Sequence, residues 1–351
     1  MTLPAVDTSE QSAHEHKSSA PTFRSKSAAG LAVGLALVVL FAVVRVLAPP
    51  ASATFGLPDA ARDFATLSIS VVVESLPFVF LGIVLSIAVQ VWLPEGMLLR
   101  RLPRSPVLRR LVLSLLGMLL PVCECGNVPL ARGLVVKGLT VAESMTFLFA
   151  APILNPVTIV TTAQAFGWDN GVLVSRVFGG FFIANLVGWI YSRHPRPQDL
   201  LTTRFQETCS LADHHGPASR VKRSVRMFSQ ETRAMMPALF IGAGMAGLIQ
   251  VAVSREVLVT LGGNPVWSVL ALMLLAFVVA ICSNVDAFFI LSFGATFMPG
   301  GIVSFLVFGP MIDVKMLALM RTTFTAKTLL QLSLLVALCA AVLGLAVNYG
   351  H

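Results

Sequence analysis

The densest chemistry in the chain stands where the sequence is otherwise apolar. Positions 121–129 read PVCECGNVP, directly after the run LVLSLLGMLL. A Cys-x-Cys spacing supplies two soft ligands, suited as thiolates to a thiophilic metal ion or metalloid. On a regular helix the side chains of Cys123 and Cys125 diverge, whereas on a broken turn they converge. Pro121, Gly126 and Pro129 are expected to break the helical hydrogen bonding here. The competing reading is that these cysteines are small, buried apolar residues. A third thiol opens a second polar stretch inside an apolar segment, Cys282-Ser-Asn-Val-Asp286. Cys123, Cys125 and Cys282 are therefore the candidate metal or metalloid ligands, with Asn127 and Asn284 as neutral polar partners in the same two stretches.

Two further interruptions bear polar groups: Ala150-Ala-Pro-Ile-Leu-Asn-Pro156 and Phe308-Gly-Pro-Met-Ile-Asp-Val-Lys315. They add Asn155, Asp313 and Lys315 to the candidate substrate-binding set. Ionisable groups inside an apolar span are costly and face a bundle interior or a pathway. Glu124, Asp286 and Asp313 are thus candidates for carrying a coupled proton or cation, with Lys315 expected to pair with Asp313. The alternative is a set of fixed ion pairs that orient helices. Glu74, just before Pro77, is a weaker candidate of the same kind.

The elements that position these groups are apolar helices. The chain has 351 residues, of which 56% are hydrophobic and 12% charged, and its mean hydropathy is +0.83, which places it among membrane proteins. Runs of about 20 apolar residues, enough to cross a bilayer core as helix, recur at 29–48, 64–92, 140–165, 171–192, 234–253 and 328–348. Two longer, interrupted stretches lie at 108–137 and 266–298. The net charge of +8 sits in loops between the apolar runs and reads as membrane topology, with no nucleic-acid partner. Residues 1–28 read as a disordered cytoplasmic tail and 29–48 as a retained anchor helix, although Ala51-Ser-Ala53 imitates a signal-peptidase site.

The landmarks repeat. Pro77 to Gly82 and Pro237 to Gly242 each span 5 positions, and Pro106 to Cys123 and Pro265 to Cys282 each span 17. Phe147, Pro152 and Asn155 are spaced like Phe305, Pro310 and Asp313. The spacing predicts two permease-like repeats, 64–193 and 230–349, joined by a basic loop at 194–229. Segment 94–110 carries five Arg against one Glu, and 193–233 carries eight basic residues against four acids, so both are expected to be cytoplasmic. With three apolar segments between them, one must enter and return on the same side; the interrupted 108–137 is the expected re-entrant one. Each repeat then crosses an odd number of times, and the second is inverted. Inverted repeats with broken helices typify secondary transporters, whose substrate sites lie at the repeat interface.

Cys123-Glu-Cys-Gly-Asn-Val-Pro-Leu-Ala-Arg-Gly133, Phe147 to Pro156, Cys282-Ser-Asn-Val-Asp-Ala-Phe and Phe305 to Lys315 together resemble the predicted permeases of the ArsP/YraQ type, across about 64–348. Known members of that family include exporters of trivalent organoarsenicals. The resemblance implies a multi-spanning permease with cysteine near its pathway. Glu124 departs from the small residue expected between the two cysteines, which bears on selectivity toward a cation.

The expected protein is an all-helical plasma-membrane permease, its N-terminus cytoplasmic. It moves a small solute by alternating access, with efflux of a trivalent organoarsenical or other thiophilic species as the favoured cargo and a proton or cation as coupling partner. A homo-oligomer or a separate accessory subunit is compatible with it, and no cofactor is expected. A passive ion channel and a non-transporting scaffold or assembly factor are the competing classes. Neither a nucleotide-binding P-loop nor a zincin or paired-Asp enzyme motif occurs in the sequence. The histidines fall in tails and loops, and the methionines read as packing.

Overall fold

The computed structural model describes residues 59–94, 97–119, 122–168, 171–212, 219–252, 264–294 and 296–350. The expected tail at 1–28, the anchor at 29–48 and Pro121 lie outside the described residues. What is described is almost wholly helical, and its pairing outside helices is one isolated antiparallel bridge, Leu201 with Phe324.

The first half opens with α1 (Asp59–Ile87), prolonged by a π turn over Ala88–Trp92. Short α2 (Met97–Arg101) precedes α3 (Pro106–Leu116), whose end tightens into a 3-10 turn at Gly117–Leu119. Then come α4 (Glu124–Val136), α5 (Val141–Ile153), α6 (Pro156–Phe166) and α7 (Gly171–Tyr191). A connector holds a 3-10 turn at Pro197–Leu200 and α8 (Thr203–Ala212). The second half runs through α9 (Arg220–Ala252), α10 (Pro265–Val279), α11 (Asp286–Leu291), α12 (Pro299–Met311), α13 (Val314–Met320) and α14 (Ala326–Gly350). The order long helix, half-helix, half-helix, broken pair, long helix thus occurs in each half.

Among the described residues, six helical stretches are long and apolar enough to cross a membrane, counting α5–α6 and α12–α13 as one stretch each. At about 1.5 Å per residue, α4 is only some 20 Å long and does not reach across a bilayer core alone. Burial sorts the stretches into two shells. The α12–α13 stretch is 89% buried and α5–α6 72%, whereas α14 is 22% buried, so the broken helices form the centre and the unbroken ones the rim.

Local chemistry sets the breaks. Thr140 and Glu143 form a reciprocal capping box that starts α5. Asn155 accepts from the Val157 amide (2.9 Å) and Pro156 takes the first helical position, so only Leu154 and Asn155 separate the end of α5 from the start of α6. Asp313 does the same for α13 by accepting from the Met316 amide. Ala280 caps α10 in the left-handed region (φ 51°).

The break expected at Gly126 and Pro129 is displaced. Both lie inside α4, which runs unbroken from Glu124, and the interruption precedes Cys123. Pro129 falls early in the helix, where its missing N–H deprives only the Cys125 carbonyl. Gly126 serves close packing: a Cβ there would sit 2.4 Å from the Phe78 carbonyl oxygen, and one on Gly82 would sit 2.1 Å from the Gly126 carbonyl oxygen. The landmark glycine of the second half, Gly242, lies against the Lys315 backbone of α13 in a similar way. α1 thus packs closely on the half-helix α4, and α9 on α13, the second member of the broken pair.

Candidate functional site

Glu124 stands in the first turn of α4, where the helix dipole favours a negative charge. It has no solvent exposure. Burial of a carboxylate needs an opposite charge and saturated hydrogen bonds, and Glu124 has both. Lys315 Nζ donates to Glu124 Oε1 (3.2 Å) and to the Ala280 carbonyl (3.2 Å) at the end of α10. Ser283 Oγ (3.1 Å), the Ser283 amide (3.4 Å) and Cys282 Sγ (3.8 Å) donate to Glu124 Oε2. The pair joins residues 191 positions apart, one from each half.

The thiols gather around this pair. The ligand atoms of Cys123, Glu124 and Cys125 lie within 4.8 Å of one another. Cys123 also makes side-chain contact with both Cys125 and Cys282. All three cysteines are buried and free of disulfides. Two fixed charges and three soft sulfurs thus share one buried centre, and sulfur is the ligand type that soft metals and metalloids favour.

Polar atoms are left over beside it. The side-chain nitrogen and oxygen of Asn127, and Asp313 Oδ2, are buried without a hydrogen-bond partner. Such atoms are uncommon in folded proteins and call for an explanation.

Of the ten substrate-binding candidates, Cys123, Glu124, Cys125, Cys282 and Lys315 converge directly. Asn155 is one step removed, its Nδ2 donating to the Val122 carbonyl (3.2 Å). The expected pairing of Lys315 with Asp313 does not form: Lys315 turns to Glu124, while Asp313 caps α13 through Oδ1 and leaves Oδ2 without a partner. Asp286 and Asn284 belong to a neighbouring cluster. Arg176 of α7 grips Asp286 through NH2 to Oδ2 (2.6 Å) and NH1 to Oδ1 (2.9 Å), and bonds Thr162 of α6 (2.7 Å). Thr158 donates to Asn284 (3.3 Å). Asp286 is therefore a member of a bidentate, fully buried ion pair.

A third polar cluster lies further along α4. Arg132 Nε donates to Glu231 Oε2 of α9 (3.0 Å). Its NH1 reaches the Thr322 carbonyl (3.0 Å) and Thr323 Oγ1 (3.1 Å), and its guanidinium stacks 4.3 Å from the Phe205 ring of α8. The connector is stitched to the same corner: the Thr202 amide donates to the Thr323 carbonyl (2.8 Å) and the Thr325 amide to the Leu200 carbonyl (3.0 Å).

Sequence reading passed over Arg176, Arg132 and Glu231. The signal for Arg176 was present, since an arginine five residues into an apolar run needs a buried partner. Nothing in the sequence paired Arg132 with a residue 99 positions away.

A family model described as "Predicted permease" matches residues 60–349. The UPF0718 protein YcgR of Bacillus subtilis is 34% identical over 263 residues, covering 75% of this chain and 89% of the relative. A "Putative two-component membrane permease complex subunit" of Streptococcus mutans is 31% identical over 279 residues, covering 78% and 91%. The UPF0718 protein YraQ of Escherichia coli is 27% identical over 138 residues, covering 39% and 38%. No solved structure matches the chain.

Proposed function

We propose, from the premise that this chain belongs to the ArsP-type predicted permease family, that it carries a small thiophilic solute through the centre where Glu124, Lys315 and three cysteines meet. The family match and the apolar helices make it a multi-pass membrane transporter. The finer reading adds two halves of opposite orientation, 59–193 and 220–350, with 94–110 and 193–233 on the cytoplasmic side of the plasma membrane. Under it, α3–α4 and α10–α11 enter and return without crossing.

The single observation that carries the reading is the convergence of Cys123, Cys125 and Cys282 on an ion pair made between the halves. An alternating-access cycle needs a site whose ligands come from both moving parts, so that binding biases one arrangement over the other. Thiols from α4 and from the α10–α11 turn meet that need, and trivalent organoarsenicals or related soft metalloids are the cargo class. Direction, in this reading, is outward. One relative is named a subunit of a two-component permease complex, which supports an accessory subunit here too.

Whole-cell resistance and vesicle uptake of a trivalent organoarsenical by the Cys123→Ser/Cys125→Ser variant test the proposal. Transport is expected to fall at least about tenfold while membrane insertion persists, the order of loss seen when metal-site partners are removed. Unchanged transport would remove thiol coordination from the mechanism.

A further inference from the structure

The two ends of the helical bundle are unequal with respect to the Glu124 centre. α4 lies along the second half of α1, Gly126 against Gly82 and Gly133 against Ser86 and Gln90, so both helices run in the same direction. Arg132, about 12 Å beyond Glu124 on α4, therefore closes the end toward which α1 runs. That end is filled by Glu231, Thr322, Thr323 and Phe205.

The other end is built differently. On the first half of α1, Asp63, Thr66, Ser70 and Glu74 follow one another at helical spacing, and all four are exposed. The hydroxyls of Thr66 and Ser70 bond back to the Arg62 and Thr66 carbonyls of their own helix, and among the described residues no side chain of another helix bonds to them. Glu74 is the decisive residue. It is exposed, yet its carboxylate lies beside the Cys282 backbone amide and within electrostatic reach of both Lys315 and Glu124, which are buried. A carboxylate at this depth facing acyl chains is strongly disfavoured, which favours an aqueous surrounding for Glu74.

We propose that Asp63, Thr66, Ser70 and Glu74 line an aqueous entry path to the Glu124 centre from this end alone, with Glu74 as its innermost charge, favouring neutral or cationic solutes over anionic ones. The proposal rests on reading the Glu124 centre as the transport site. Low-dielectric walls focus the field of the two carboxylates along the path. In the opposite phase of the cycle the path closes and the Arg132 end opens. On the orientation proposed above, the path faces the cell exterior.

The test is thiol labelling of the full chain in right-side-out and inside-out membrane vesicles, with Ser70→Cys as the reporter and the unsubstituted chain as background for the native cysteines. A membrane-impermeant cationic thiosulfonate is expected to modify Ser70→Cys from the exterior face only, roughly tenfold faster than an anionic reagent of equal size, as local fields permit. In Ser70→Cys/Glu74→Gln that preference is expected to shrink to about twofold. Reaction from both faces, reaction with a lipid-soluble maleimide alone, or no reaction with either reagent would overturn the path. One-sided reaction with a charge preference indifferent to Glu74→Gln would overturn the role of Glu74. Labelling needs no cargo: with the expected labelling but undiminished transport in Cys123→Ser/Cys125→Ser, the path stands and the thiol site falls.

Discussion

The Glu124 and Arg132 clusters are both buried, both ionic and both made between the halves, and they differ in what is left unpaired. Arg132 places donors on Glu231, Thr322 and Thr323 and its flat face on Phe205, drawing on four segments of chain. Around Glu124 the ion pair is saturated, but the Asn127 amide and Asp313 Oδ2 have no partner, and the three thiols beside them make only weak sulfur contacts, Cys282 to Glu124 and Cys123 to Cys125 and Cys282. Saturation suits a contact whose role is to hold the halves together. Excess suits a contact that is to receive something, since unmet polar atoms in a dry centre are costly until a partner arrives.

The sharpest way to break the comparison is to remove one buried charge. Lys315→Met takes its counter-charge from Glu124, which has no solvent exposure of its own, and is expected to cost about 3–5 kcal/mol, read as loss of thermal stability in detergent. The double variant Glu124→Gln/Lys315→Met is expected to recover much of that loss; a double variant no better than the single would mean that shape, and not charge, dominates there. Arg132→Gln is expected to cost less, roughly 2–3 kcal/mol, because Glu231 keeps some exposure to solvent. It should also raise thiol reactivity at the connector end.

Backbone approach sharpens the comparison next. Gly82→Ala pushes a methyl into the Gly126 carbonyl, with an expected cost of about 1–3 kcal/mol. Gly244→Ala, where a Cβ meets nothing within 4 Å, is expected to gain about 0.5–1 kcal/mol from helix propensity. Equal effects at the two positions would mean that the α1–α4 contact yields easily. Truncating the buried Leu201 and Phe324 side chains costs stability of its own, so Leu201→Cys/Phe324→Cys is read by transport alone, oxidised against reduced. The bridge is a non-hydrogen-bonded antiparallel pair, whose Cα separation of about 4.5 Å accepts a disulfide. Oxidation is expected to stop transport and reductant to restore it; transport undisturbed by the disulfide would remove the connector from the cycle.

Hydropathy and loop charge made the membrane class and the helical fold readable, because a bilayer leaves few ways to satisfy a buried backbone. The cysteine stretch and Lys315 were readable as site chemistry because polar groups are rare in apolar runs. Partner choice was not. Lys315 pairs with Glu124 rather than with Asp313 two residues away, a choice set by the packing of α4 against α13 and not by any local pattern. Asp286 was readable as buried and ionisable, but its bidentate clasp by Arg176 depends on α7 and α11 becoming neighbours, which no local pattern encodes. Pro129 misled for a local reason: so near a helix start it costs one hydrogen bond, not the helix.

The connector between the halves is itself sewn onto the Arg132 corner by two backbone hydrogen bonds, a contact from Thr328 to the Leu200 carbonyl and the Phe205 ring. Parting the halves there means peeling the only covalent tie between them away from its own seam. At about 1 kcal/mol net for each, these four contacts add about 4 kcal/mol, close to a thousandfold, to whatever else holds the halves together. In an alternating-access cycle of the kind proposed, that seam must unzip before the hinge can swing, and ligands that loosen it are expected to act as accelerators without ever touching a cysteine.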